Sequence, residues 1–188
     1  MKLQREQWRK DQQRLPTAQL LFLDESGAKT NMTRLRGRCK IGRRLYDSAP
    51  CGRWETTTMI SSIRLDGKTA CLAVEGATTG DVFREYVRQV LAPTLRKGDI
   101  VILDNLSSHK DGKARALIEA RGAKALFLPP YSPDFNPIEN MWSKVKEHLR
   151  GAKARTQETL DQAISSAFKT ITTNDAKNWF KSCGYTIN

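Results

Sequence analysis

Histidine is scarce in this chain of 188 residues; there are two, His109 and His148. The four cysteines, Cys39, Cys51, Cys71 and Cys183, are scattered and include no C-x-x-C pair. A zinc site of ordinary local spacing therefore cannot be assembled. Reduced and mostly buried thiols, in a cytoplasmic protein, are the expectation. No apolar run is long enough to span a bilayer and no lipidation signal is present, so no membrane partner is expected. The opening stretch MKLQREQWRKDQQRLP has no apolar core of the kind a secretory leader needs. Acids are also in deficit. Twenty Asp and Glu face 32 Lys and Arg, a formal net charge of +12 and a pI near 9.8. Self-repulsion of that size is a cost unless a polyanion offsets it, and nucleic acid is the first candidate.

Hydrophobic residues make up 39% and charged residues 28%, proportions of a folded domain. Residues 1–16 read as a leading helix or linker, and 17–188 as one domain. AQLLFLDE has the pattern of a buried strand ending at Asp24. TTTMISSIRL (56–65) and TACLAVEG flank the hairpin signal DG. Residues 81–95 carry apolar side chains at helical spacing. DIVILDN is a strand closed by Asp104. A helix is expected over 111–121, with Ala116, Leu117 and Ala120 inward, and AKALFLPP is the last strand. Helices follow from Asn136, with Ile138, Met141, Trp142, Val145 and Leu149 as the apolar stripe, and at about 157–171 and 174–182. A hairpin front followed by alternating helices and strands predicts an α/β fold, a mixed sheet flanked by helices.

LPPYSPDFNPIEN (128–140) packs four prolines into ten residues, a density that stiffens the backbone and forbids a central strand or helix interior. It ends in an acid, Glu139. Asn136 suits the N-cap of the next helix, Pro137 suits N1, and Glu139 then falls at N3. Taken singly, each acid has a common structural role: Glu139 in a capping box, Asp24 and Asp104 as turn formers. Together, on adjacent strands, the three converge on one end of the sheet. Like charges at 4 Å repel by about 4 kcal/mol at an effective dielectric of 20, a cost that a cation removes. Oxygen-only ligands suit Mg²⁺, with Mn²⁺ as a substitute. Two such ions serve displacement at phosphorus.

LDE (23–25), LDNLSSHK (103–110) and LPPYSPDFNPIE (128–139) resemble bacterial insertion-sequence transposases of the Tc/mariner superfamily. Asp104 and Glu139 enclose residues 105 to 138, 34 in all, the interval of that family's acidic triad. The resemblance extends over roughly residues 18–186. It implies a ribonuclease-H-like fold, with Asp24, Asp104 and Glu139 as catalytic residues and as ligands of two Mg²⁺ ions. It also implies cleavage of double-stranded DNA at transposon ends and strand transfer into TA-containing target, by a dimer on DNA. Helix-turn-helix domains are expected upstream, on another reading frame or missing. A bacterial, nucleoid-associated location follows.

Arg34, Arg36, Arg38 and Lys40 alternate with Leu35, Gly37, Cys39 and Ile41, and Arg43 and Arg44 follow. In a strand this period would set four cations on one face, either as DNA-backbone contacts or as a charged edge that resists aggregation. Asn105, His109 and Asn136 are candidates to orient DNA or a ligand from behind the acids; a turn residue and a satisfied surface group are the plainer readings of the first two. Tyr131 and Phe135 are expected to pack the loop down rather than stack on bases. The rival functions are another ribonuclease-H-like nuclease and a catalytically idle, transposon-derived DNA-binding protein.

If the six cations at 34–44 contact phosphates, affinity for duplex DNA falls about a thousandfold between 50 and 200 mM salt. Fluorescence anisotropy across that range measures the slope, and a flat response excludes phosphate-dominated binding.

Overall fold

Alternating apolar residues build the centre of the molecule. The computed structural model of the chain describes residues 2–106, 109 and 111–187. Its sheet has five strands: β1 (Leu20–Lys29), β2 (Thr56–Arg64), β3 (Thr69–Glu75), β4 (Ile100–Leu103) and β5 (Lys124–Phe127). Their order is β3-β2-β1-β4-β5. β3, β2 and β1 are antiparallel, whereas β1, β4 and β5 run parallel. The helices are α1 (Lys2–Asp11), α2 (Gly80–Tyr86), α3 (Gly112–Glu119), α4 (Pro137–Ala152), α5 (Gln157–Lys169) and α6 (Thr173–Ser182).

Strand periodicity sends Leu20, Phe22, Met59, Ile63 and Ile102 into one core, where α4, α5 and α6 pack. Leu21, Leu23, Ile60, Val101 and Leu103 enter a second core under α2 and α3. The result is a three-layer α/β arrangement with both sheet faces covered. The expected stripe of α4 (Ile138, Met141, Trp142, Val145 and Leu149) is buried throughout. The DG turn forms, with Gly67 at φ 83°. A Cβ there would also stand 2.9 Å from the Thr172–Thr173 backbone.

Several expectations need correction. β1 does not end at Asp24 but continues to Lys29, because β2 pairs with it from Leu21↔Arg64 to Lys29↔Thr56. β4 pairs only with Leu20–Phe22, so Asp24 lies where β1 loses its second neighbour. Residues 31–55 form no strand. Arg34, Arg36, Arg38, Lys40, Arg43 and Arg44 sit on an exposed excursion between β1 and β2, closed at its base by Thr30 N–H donating to Glu55 O (3.2 Å). No neighbouring strand is there to impose a period of two, so the four-cation face does not exist. Cys39 and Cys51 are exposed on the same excursion, and of the four thiols only Cys183 is fully buried. On α3 the inward residues are Ala114 and Ile118 rather than Ala116 and Ala120; their i, i+4 spacing sets the face. The 81–95 helix relaxes into a π turn at Val87–Leu91 and tightens into a 3-10 turn at Ala92–Thr94 around Pro93. No helix among the described residues is long and apolar enough to cross a membrane.

At the sheet end remote from the acids, Arg64 and Asp99 form a buried pair, 7% and 3% exposed. Arg64 Nη1 and Nη2 donate to Asp99 at 3.0 and 2.5 Å, and Nη2 also donates to Thr94 O. Burial opposes ionisation of Asp99, yet Arg64 and the Arg96 N–H hold its carboxyl below the usual range. Asp99→Ala would strand a buried guanidinium, and a loss of about 3–5 kcal/mol is expected in urea unfolding. A loss below about 1 kcal/mol would mean that the pair behaves as an exposed one.

Candidate active site

Three elements aim a carboxylate at one cleft. On β1, the period of two that buries Leu20 and Phe22 places Asp24 on the same face, towards α4. Asp104 follows β4 directly. The pairing Leu20↔Ile100, Leu21↔Val101, Phe22↔Ile102, continued by two residues, sets Asp104 beside Asp24. Glu139 stands at N3 of α4, with Pro137 at N1 and Asn136 as N-cap. Asn136 makes no side-chain cap hydrogen bond, so the reciprocal box that would give Glu139 a purely structural role is not formed. The three acids line a cleft of about 520 Å³ with Asn105, Leu106, Leu128, Asn136 and the run 129–133.

The proline-rich run is one wall of that cleft. Leu128 N–H donates to Leu103 O at 2.8 Å, and the Asn105 amide donates to Leu128 O. Asn105 therefore ties the end of β4 to the end of β5. Phe135 is buried, its carbonyl accepting from Tyr185 Oη at 2.8 Å. Tyr131, expected to pack down, is instead 86% exposed. Its backbone is left-handed, at φ 53°, and that geometry throws the ring outwards. Asn136 is buried, and its Oδ1 has no hydrogen-bond partner among the described residues.

Asp24 is 7% exposed and accepts a hydrogen bond from Trp142 Nε1 at 3.2 Å. Burial pushes its carboxyl up to about 7, and the charges of Glu139 and Asp104 push the same way, against the Glu25 N–H and His109. His109 lies behind Asp104. It is 3% exposed, with Nδ1 2.6 Å from Asp104 Oδ1, Nε2 3.7 Å from Glu25 Oε1 and its ring 4.6 Å from that of Phe83. Burial alone would lower the pKa of His109, but hydrogen bonding to Asp104 and the nearby Glu25 carboxylate outweigh it and raise the imidazole to about 9. The contact of Nδ1 with Asp104 Oδ1 holds that carboxylate in place.

Three carboxylates with no thiol in the cleft are a donor set suited to a hard divalent ion. The raised pKa of Asp24 comes first from its burial, with the charges of Glu139 and Asp104 adding to it. Among the described residues no three Asp, Glu, His or Cys side chains stand already drawn together as a metal cluster; the acids share the cleft without converging further. Two contributors were not assigned from sequence. Trp142 was read as core alone, although its N–H faces Asp24. Glu25, adjacent to Asp24, belongs to the opposite strand face and reaches His109.

The cations divide differently. Arg34 and Arg36 line a neighbouring cleft of about 410 Å³ with Leu35, Ser143, Glu147 and Arg150. Arg38, Lys40, Arg43 and Arg44 stay exposed, Arg44 lying 5.5 Å from the Tyr46 ring.

Residues 19–161 match the profile of the DDE superfamily endonucleases. The Tcb1 transposable-element transposase of Caenorhabditis briggsae is 28% identical over 91 residues, 48% of this chain and 33% of that protein. The match thus spans about a third of that relative's length. In fold, the chain is similar to the Mos1 Strand Transfer Complex, with a TM-score of 0.72 at 16% identity, covering 96% of this chain and 56% of that one. It is also similar to the catalytic domain of Mos1 mariner transposase, with a TM-score of 0.65 at 15% identity, covering 100% and 93%. Similar Mos1 structures include a paired-end complex with left transposon end, and paired end complexes with Mg and with Mn. The architecture is therefore a ribonuclease-H-like mixed sheet flanked by helices.

Ionised Asp24 is disfavoured in the folded chain. Its folded pKa lies above the unfolded one, so the unfolded state binds fewer protons between about 4 and 7, and stability falls as pH rises through that window. Asp24→Asn removes the dependence. In metal-free buffer at pH 8 the variant should be more stable than wild type by about 2–4 kcal/mol, with the two converging near pH 4. Urea unfolding at both pH values tests this, and a less stable variant at pH 8 contradicts it.

Proposed function

The chain belongs to the DDE superfamily endonucleases, and from that membership we infer that it is the catalytic domain of a transposase, cleaving DNA at transposon ends and transferring the freed strand to target DNA. The observation that carries this reading is the arrival of Asp24, Asp104 and Glu139, from three separate elements, at one cleft. Residues 17–188 are the catalytic unit, and 1–16 a leading helix or linker.

Divalent metal use accords with the Mg and Mn complexes of the Mos1 structures. Asp24, Asp104 and Glu139 would hold two Mg²⁺ ions, or Mn²⁺ in their place. Such ions supply activation of an attacking oxygen and neutralisation of charge developing at phosphorus. The chain's own residues do the rest. His109 and the Leu106 N–H, both on Asp104 Oδ1, fix the rotamer of that acid. Trp142 orients Asp24 and links it to the helix that carries Glu139. Asn105 and the prolines hold the wall, lowering the entropy cost of a precise carboxylate. Asn136, buried at the helix start, is part of the cleft lining.

The partner is double-stranded DNA, comprising transposon ends and a TA-containing target, engaged by a dimer. The six cations from Arg34 to Arg44 contact its phosphates and position it without reading sequence. We propose a cytoplasmic, bacterial setting for the chain, at the nucleoid when it is bound to DNA.

Asp104→Asn should keep the far-UV circular dichroism of the folded chain while lowering Mg²⁺- or Mn²⁺-dependent cleavage of duplex DNA by more than a hundredfold. Losses of about 10- to 100-fold already follow from disturbing groups behind a metal ligand. A variant that cuts as fast as wild type sinks the enzymatic reading and leaves an idle DNA-binding protein.

A further inference from the structure

α1 buries none of its own residues, yet one of its side chains reaches the cleft wall. Arg5 Nη1 donates to Tyr131 O at 2.9 Å and to Ser132 Oγ at 2.8 Å. Arg5 Nη2 donates to both oxygens of Asp134, at 3.0 and 2.8 Å. The guanidinium also lies 4.8 Å from the Phe135 ring centroid, and that of Arg9 lies 5.6 Å from the same centroid. We infer that Arg5 is a positioning residue of the active site, clamping the 131–135 wall and through it the start of α4 that presents Glu139; this rests on the nuclease reading above.

An ordinary surface ion pair would not carry that inference, because most contribute little. Three features set this one apart. A single planar group satisfies four acceptors on consecutive turns of one loop and caps an aromatic face, an arrangement that a lysine cannot reproduce. The carbonyl it grips belongs to Tyr131, whose left-handed backbone is uncommon for a non-glycine residue and persists only where neighbours over-determine it. The clamped segment is also contiguous with the site: Phe135 leads directly into Asn136, Pro137 and the first turn of α4. In keeping with the contact, hydrogen bonding from Arg5 holds the Asp134 carboxyl below its usual range. The inference also assigns α1 a task. The segment that precedes the sheet is joined to the catalytic wall through the Arg5 side chain, so its seating and the wall's geometry are coupled.

Arg5→Gln and Arg5→Lys, made in the 188-residue chain, test this in two independent ways. Chymotrypsin cleavage after Tyr131 requires local opening of the wall, and its rate should rise about tenfold or more in both variants, with the thermal midpoint almost unmoved. For metal-dependent cleavage of duplex DNA, kcat should fall about 10- to 100-fold, the scale of a small misplacement of reacting groups, with KM for DNA nearly constant. Unchanged proteolysis in both variants overturns the clamp. A raised KM at constant kcat also overturns it and makes Arg5 a DNA contact instead. Full kcat in Arg5→Lys would show that charge alone suffices, against the inference. If wild type cleaves no DNA, it is the nuclease reading that fails, and faster proteolysis of the variants still supports the clamp.

Discussion

Mutual repulsion of three carboxylates is the constraint around which this fold is organised. Carboxylates that share a cleft disfavour one another's ionisation, and left to themselves the side chains would turn to solvent. The chain denies Asp24 that option by placing it in the strand with one of its two sheet neighbours already gone, buried under α4 and bonded to Trp142. Asp104 is held by His109 and by a backbone N–H two residues on. Glu139 is fixed by the start of its helix rather than by any cap bond. Each acid is thus restrained by a different device, and burial with the neighbouring charges raises the pKa of Asp24.

Trp142 and His109 have opposite electrostatic characters. The indole is a neutral donor in a buried place, which stabilises the carboxylate without adding charge. His109, pressed between Asp104 and Glu25, is favoured as a cation despite its burial. One positive charge among four acids moderates the repulsion without cancelling it, which leaves the cleft net negative inside a chain of net charge +12. A negative pocket in a basic surface is the sign pattern expected where phosphate is drawn near and a divalent ion completes the contact.

Much of this was legible in the residues. The apolar runs LLFL and IVIL located β1 and β4, the DG turn located the hairpin, and Asn136–Pro137–Glu139 set the phase of α4 to the residue. Where expectations failed, the information lay outside the local sequence. The length of β1 depends on the nine pairs it makes with β2, which no property of SGAK foretells. The alternation of Arg34, Arg36, Arg38 and Lys40 has strand period, but a period becomes a strand only against a partner, and none lies there. Tyr131 is exposed because its backbone turns left-handed in a segment whose prolines suggested only stiffness. Trp142 and Glu25 were hidden by the ordinary explanations of an apolar stripe and a neighbouring acid; that the first bonds Asp24 and the second reaches His109 depends on how α4 and the segment after β4 pack against β1.

The cations regain meaning once helix phase replaces strand phase. On α4 the buried positions are 138, 141, 142, 145 and 149, so helical periodicity turns 139, 143, 147 and 150 to the opposite side. Glu139 therefore shares a face with Ser143, Glu147 and Arg150, the residues that line the second cleft with Arg34 and Arg36. Arg34 lies against Gly151, where an added Cβ would stand 3.1 Å from its guanidinium, so a bare backbone at the last turn lets the arginine approach. From Glu139 to Arg150 the axis rises about 16 Å, or some five base-pair steps of duplex. A DNA backbone entering the acidic cleft and running along α4 would meet Arg34, Arg36 and Arg150 within one half-turn. The other cations of the excursion are exposed and lack such a surface behind them.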